Sequence, residues 1–286
     1  MAFLRLIRIQ NILIIALTMW AVRYFIGWDV LHDEENLDYF LFILATCLIA
    51  AGGNAINDYF DVKADRINKP NELIVTRHIK KRWVIVSHWI LSAIGLAIYS
   101  YFSWKFHTFF YLFIALFSIG LLLFYSLSFK KKLFWSNFIV AFLIGLIPLI
   151  SIRFLAFKNP SENQVMIVCF YALFAFIANF CREVVKDIQD MEGDLKIGVR
   201  SFAIVWDIKK TQILISVSTL VLLVVFYIGT TTVSVPQKDV FQLFMALAIS
   251  LASIVNMIFV LLKRWNLSNL TLKLSMILGT ISLFFP

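Results

Sequence analysis

Residues 38–65 read DYFLFILATCLIAAGGNAINDYFDVKAD. An apolar run long enough to cross a bilayer, which takes about 20 residues, passes directly into Asn54, Asn57, Asp58, Asp61 and Asp65. A second apolar run, over 164–185, ends the same way, in Arg182-Glu183-Val-Val-Lys186-Asp187-Ile-Gln-Asp190-Met-Glu-Gly193-Asp194. In both, three aspartates fall at i, i+3 and i+7, with a further polar residue four places earlier (Asn54, Glu183). Steps of 4, 3 and 4 stack side chains on one helical face. A stripe of like charge repels itself unless a cation neutralises it. Carboxylate and amide oxygens are hard donors that suit Mg²⁺ or Mn²⁺. Asn57, Asp58, Asp61 and Asp65 are therefore expected to form one metal half-site, and Asp187, Asp190 and Asp194 the other. Mg²⁺ usually keeps substrate phosphate among its ligands, so the expected client is a phosphorylated or diphosphorylated molecule at a membrane surface.

The rest of the chain fits that setting. Of its 286 residues 61% are hydrophobic and 15% are charged, against about 25% charged in soluble domains. Nine spans are predicted, over 11–28, 38–57, 83–103, 108–126, 134–156, 164–185, 211–233, 240–262 and 268–285. The last is the weakest, because it contains Lys273. Helices satisfy their own backbone groups in lipid, so an all-α, multi-pass bundle is expected, one transmembrane domain over 1–286. The first apolar run follows Arg5 and Arg8, has no small-residue cleavage site and is followed by further spans. It reads as a retained helix rather than a signal peptide.

The net charge of +9 is distributed unevenly. Cations crowd the N-terminus, the loop after the second span (Lys63 to Arg82), Lys130 to Lys132, Lys186 to Lys210, and Lys263 with Arg264. The alternate loops are poorer: Asp29 to Asn36 is acidic, and few cations surround Lys105, Lys158 and Lys238. The positive-inside rule then places the N-terminus and both acidic motifs in the cytoplasm, in a plasma or inner membrane, with the C-terminus outside. Dispersed over short loops, these cations favour anionic lipids and make no case for nucleic acid. Cys47, Cys169 and Cys181 lack ligand spacing and read as small buried apolar residues.

Asn68-Lys69-Pro70-Asn71 should stop the helix that runs through Asp65, and Gly193 and Gly198 should loosen or end the helix of the second motif. The two loops could then fold as caps. The two motifs stand roughly half the chain apart, which suggests two similar helical halves facing a shared central cavity. Arg182 and Lys186 stand beside the second stripe, while Lys69, Arg77 and Lys130 lie in loops on the same side. All five are candidates for the remaining diphosphate oxygens. Asn54 joins them as a candidate substrate contact. Among many aromatic residues, Tyr59 and Tyr125 are singled out as candidates to stabilise a carbocation; the four histidines carry no expectation.

These residues reach a known family. Asn57-Asp58-Tyr59-Phe60-Asp61-Val-Lys-Ala-Asp65 resembles NDxxDxxxD, the first signature of the UbiA-type intramembrane prenyltransferases, and Arg182 to Asp194 resembles their second. Tyr125-Ser-Leu-Ser-Phe-Lys130, followed by Asn137, is similar to their short YSxxLK element. The resemblance covers essentially the whole chain. It implies nine helices around a central cavity open laterally to lipid, with two Mg²⁺ ions holding a prenyl diphosphate between the motifs. It implies that Asn57, Asp61 and Asp65 serve one ion and Asp190 and Asp194 the other, with Asp58 and Asp187 completing the shells. The wording around both motifs is most similar to the geranylgeranylglyceryl phosphate geranylgeranyltransferases. One departure stands out: where the family continues Pro-x-Arg-Pro, this chain has Pro70-Asn71-Glu72-Leu73, and Arg77 is the next arginine.

The reaction expected is ionisation of a prenyl diphosphate and capture of the carbocation by an acceptor. A lipid-type glycerophosphate hydroxyl would give an ether; an aromatic acceptor such as hydroxybenzoate would give a new bond to carbon. An ion or solute transporter is the competing class, because acidic residues in helices also mark ion pathways. A lipid-binding scaffold is a further one.

Overall fold

A computed structural model describes residues 1–27, 33–232 and 240–284; the charges expected at Asp29 and Lys238 lie outside them. Among the described residues the chain is helical, with one isolated bridge between Val75 and Ile79 in a loop. The helices are α1 (Ala2–Leu6), α2 (Ile9–Gly27), α3 (Asp33–Asn68), α4 (Lys81–Lys105), α5 (Phe110–Leu127), α6 (Trp135–Phe154), α7 (Glu162–Gln189), α8 (Met191–Lys196), α9 (Phe202–Val205), α10 (Asp207–Thr232), α11 (Val240–Leu261) and α12 (Trp265–Ser282).

Eight of them are long and apolar enough to cross a membrane, among the described residues. The ninth predicted span forms as α12 but is not among the eight. It carries Asn266, Asn269 and Lys273, and it buries Ser268, Thr271, Ser275 and Thr280. Elsewhere the usual rule is inverted: Ile90, Phe113, Leu116, Leu220, Leu247 and Leu251 are exposed, while Asn179, Thr219, Ser253 and Asn256 are buried. Lipid tails solvate apolar surface as well as a core does, so polar side chains turn inward to find partners. Asn256 shows this. Its Nδ2 donates to Thr219 at 3.1 Å, and its Oδ1 accepts from Ser268 at 2.6 Å and from Thr271 at 3.3 Å. Cys47 and Cys181 are buried as expected, but Cys169 is exposed on α7; a thiol is apolar enough to face lipid.

The chain divides into two compact units. The first comprises Met1–Ala16, Leu31–Lys132 and Glu192–Val199, and so holds α1, the start of α2, α3 to α5, and α8. Its frame is α3 against α4. A Cβ at Gly52 of α3 would stand 2.8 Å from the Ser92 hydroxyl oxygen and 3.2 Å from the His88 carbonyl oxygen of α4, so glycine lets the two helices approach closely. At one end of the pair, Lys105 of α4 donates to Asp38 of α3 at 2.5 Å. α3 is 36 residues long, about 54 Å at about 1.5 Å per residue. The apolar span was placed at 38–57, and the helix continues past it through all four acidic-motif positions and stops at Asn68, next to Pro70, as the Asn68-Lys69-Pro70-Asn71 stop predicts.

The second unit comprises Leu17–Val30, Leu133–Met191 and Arg200–Pro286. Here α7 packs against α6, α10 and α12. Its start is fixed locally. Ser161 caps α7 by accepting from the Gln164 N–H at 3.3 Å, and the Gln164 side chain returns to the Ser161 N–H at 2.9 Å.

Candidate active site

In the first unit the acidic stripe lies on one continuous helix, as its spacing requires. Asn57 and Asp61 are buried, and Asp58 and Asp65 are half-buried. Asn57 Nδ2 donates to Asp61 Oδ2 at 2.7 Å. The same oxygen accepts from Lys130 Nζ, which arrives on a short 3₁₀ turn over Phe129–Lys131 after α5. Burial alone would push the Lys130 ammonium toward neutrality. The Asp61 carboxylate overrides this, helped by Tyr125 and Asp194, and holds Lys130 above the ordinary lysine value.

Asp58 is met by Arg8, whose Nη2 lies 2.8 Å from its Oδ1. Arg8 sits between α1 and α2 with φ at 53°, a left-handed conformation that a non-glycine residue adopts at a cost. Asn54 turns its amide to the Ile7 carbonyl at 2.9 Å, so it anchors the N-terminal segment. Asp58 and Asp61 are thus neutralised in part by cations that the fold itself supplies. Tyr59 lies under Lys81, 5.3 Å from its ammonium. In the loop beyond α3, Lys69 is exposed, and the exposed Arg77 reaches the Pro70 carbonyl at 3.5 Å.

The second motif departs from its expected geometry. α7 ends at Gln189, Asp190 caps it with its N–H on the Lys186 carbonyl at 2.8 Å, and a separate short helix, α8, carries Asp194. Asp187, Asp190 and Asp194 therefore do not share one unbroken helical face. Gly193 does not break the helix, as was expected of it; it lies inside α8. Gly198 does end the helix, with φ at 75°. The break hands Asp194 to the first unit, where it is buried and acts on Lys130.

Arg182, Lys186, Asp187 and Asp190 remain in the second unit. Glu183 serves two cations, Lys186 at 2.5 Å and Arg182 at 3.6 Å. Arg182 Nε also donates to Asn269 of α12 at 3.0 Å, and Gln189 Nε2 donates to Asn266 at 2.6 Å. Asn137 donates to Asp187 Oδ2 at 2.9 Å and is itself held by Ser136 at 2.6 Å. Sequence reasoning noticed Asn137 beside the YSxxLK-like element but gave it no role. It read Arg8 only as a topology signal and Asn68 only as part of a helix stop, and it passed over Asn266 and Asn269.

Among the described residues no three acidic, histidine or cysteine side chains converge as a ready-made metal cage. Mg²⁺ does not require one: one or two carboxylates, waters and a substrate phosphate usually suffice. The donors present are all hard oxygens, and Asn57 Oδ1 is buried with no hydrogen-bond partner, one turn from Asp61. An orphaned buried oxygen of that kind is costly unless a ligand engages it, so the residues fit a hard divalent cation.

The profile described as the UbiA prenyltransferase family matches residues 14–281. The chain belongs to that family. A relative, the digeranylgeranylglyceryl phosphate synthase of Thermococcus gammatolerans, is 31% identical over 165 residues, covering 58% of this chain. The match spans 55% of that protein's length. A solved structure concerned with digeranylgeranylglyceryl phosphate synthase in membranes superposes with a TM-score of 0.70 at 24% identity, covering 99% of this chain and 96% of the other. A UbiA homologue from Archaeoglobus fulgidus, bound to GPP and Mg²⁺, gives 0.63 at 14% identity, with 99% of each chain covered. Likeness at these identities shows the UbiA fold.

Proposed function

We propose that the protein is a Mg²⁺-dependent prenyltransferase, one catalytic domain over the whole chain. It moves a prenyl group, geranylgeranyl by the wording of its motifs, from its diphosphate to a lipid-type acceptor such as geranylgeranylglyceryl phosphate. The observation that carries this is the joined set Asn57–Asp61–Lys130 with the buried Asp194: oxygen donors for a divalent cation beside a lysine for phosphate. Supporting it are family membership, the relatives named digeranylgeranylglyceryl phosphate synthase, and a homologue holding GPP with Mg²⁺.

In the first unit Asn57, Asp58, Asp61, Asp65 and Asp194 would hold a metal ion; in the second unit Asp187 and Asp190 are the candidate metal ligands. When bound, Mg²⁺ supplies positive charge against the diphosphate oxygens. Lys130, with Lys69 and Arg77 from the loop, would stabilise the diphosphate oxygens as the allylic C–O bond breaks and diphosphate departs with the electron pair; Arg182 and Lys186 are the second unit's candidates for that role. The acceptor hydroxyl gives a lone pair to the allylic carbon, an ether bond forms, and the hydroxyl proton is released. Tyr125, which acts on the Lys130 charge, would be the aromatic residue that stabilises the carbocation. The asymmetric spread of Lys and Arg supports a cytoplasmic N-terminus and cytoplasmic motifs.

The test is to incubate purified protein with Mg²⁺, labelled geranylgeranyl diphosphate, and glycerophosphate or hydroxybenzoate acceptors. A labelled ether lipid is expected, absent with EDTA and restored by Mg²⁺. Turnover indifferent to chelation, a prenylated aromatic product alone, or ion flux in proteoliposomes without diphosphate release would overturn the proposal.

A further inference from the structure

Gly193 poses a question that its backbone does not answer. It lies inside α8, where glycine is a poor helix former, and it is not among the residues of positive φ. Its neighbour supplies the reason. A Cβ at this position would lie 2.5–2.6 Å from Nδ2, Cγ and Oδ1 of Asn68. The contact is specific: the Gly193 N–H donates to Asn68 Oδ1 at 2.7 Å, joining residues 125 apart in sequence. The first N–H groups of any helix have no acceptor within it. Normally the residue just before the helix caps them. Here the cap for α8 comes from the last residue of α3, the helix that carries the first acidic motif.

We infer that Asn68 is a positioning residue: by capping α8 at Gly193 it fixes where the neighbouring Asp194 stands in the first unit. The inference rests on the reading above that Asp194 serves the metal and diphosphate site. It adds a direct link between the two motifs, made inside the first unit, and it explains why the second motif needs glycine immediately before its last aspartate. Asp194 is buried and its charge acts on the same Lys130 that pairs with Asp61. Freed from Asn68, α8 loses the tie that sets where this carboxylate stands.

The test uses the full chain in detergent, with Asn68→Ala, Asn68→Asp, Gly193→Ala and the double variant. Hydrogen exchange of the segment 191–199 should quicken about tenfold in Asn68→Ala and stay near wild type in Asn68→Asp, whose carboxylate still accepts. In a prenyl-transfer assay, Asn68→Ala and Gly193→Ala should each raise the Mg²⁺ concentration for half-maximal rate about tenfold. In the double variant the clash is gone and alanine is the better helix former, so adding Gly193→Ala to Asn68→Ala should cost nothing or slow exchange. That reversal of sign is the signature of direct coupling. Unchanged exchange in Asn68→Ala, or losses that simply add, would overturn the inference. Wild-type protein that lacks transfer while showing the expected exchange pattern would overturn the proposed function and leave the Asn68 cap standing.

Discussion

Lys130 and Asp61, 69 positions apart in sequence, form a hydrogen-bonded ion pair on the carboxylate oxygen that also accepts from Asn57. Replacing the lysine with Met leaves Asp61 with one fewer donor and removes a charge from the phosphate position. Transfer is expected to fall about 10²–10³-fold, the usual loss for one charge-stabilising donor. Steady-state rates at saturating Mg²⁺ check this.

The same pair gives a pH expectation. Lys130 titrates above its ordinary 10.5 in the folded protein, so its stabilising contribution is complete below that value and fades as pH rises through the higher, folded value. Between pH 6 and 9 the melting-temperature difference between wild type and Lys130→Met should stay constant. A difference that narrows across that interval would remove the assignment of a permanently charged lysine.

Asp61→Ala and Asp190→Ala should each abolish transfer while the protein still elutes as a folded species in detergent. Wild-type rates in either variant would remove that aspartate from the metal-binding set.

Asn137 binds Asp187 Oδ2 at 2.9 Å. Asn137→Asp would set two carboxylates against each other, and Asn137→Ala would leave Asp187 short of one donor. A cost of about 1–3 kcal/mol is expected for losing a hydrogen bond to a charged group, with the Asp variant worse than the Ala variant. Activity and thermal melts of both, side by side, decide it.

Arg8 pairs with Asp58, but its side chain is 38% exposed, so screening limits the stability it confers. Arg8→Ala should change stability by about 0–1 kcal/mol and yet slow transfer, because Asp58 loses its counter-charge. Arg5→Ala should do neither. Equal effects of the two would return Arg8 to a topology signal.

Asn256 offers a contrast far from the motifs in sequence. Its three partners are side chains of α10 and α12. Asn256→Leu should cost about 1–2 kcal/mol in thermal stability while leaving the half-saturating Mg²⁺ concentration unchanged.

The all-helical, membrane-crossing character was legible in the chain because length and apolarity of a run are local quantities. Lipid leaves no other way to satisfy a backbone. The first stripe was legible for the same reason: 54, 57, 58, 61 and 65 lie on one helix, where spacing fixes direction. The second stripe misled. Spacing predicts one face only while the helix lasts, and α7 ends at Gln189. Gly193 was read for flexibility, although its role is to leave room for Asn68.

The sequence alone determined the helices, their membrane setting and the two oxygen-rich motifs, because each depends on neighbours within a few turns. Only the tertiary structure decided which donor meets which carboxylate. Arg8 with Asp58, Lys130 with Asp61, and Asn137 with Asp187 are separated by 50, 69 and 50 positions. No local rule reaches that far, and such pairs are chosen when packed helices bring together charges too costly to bury alone.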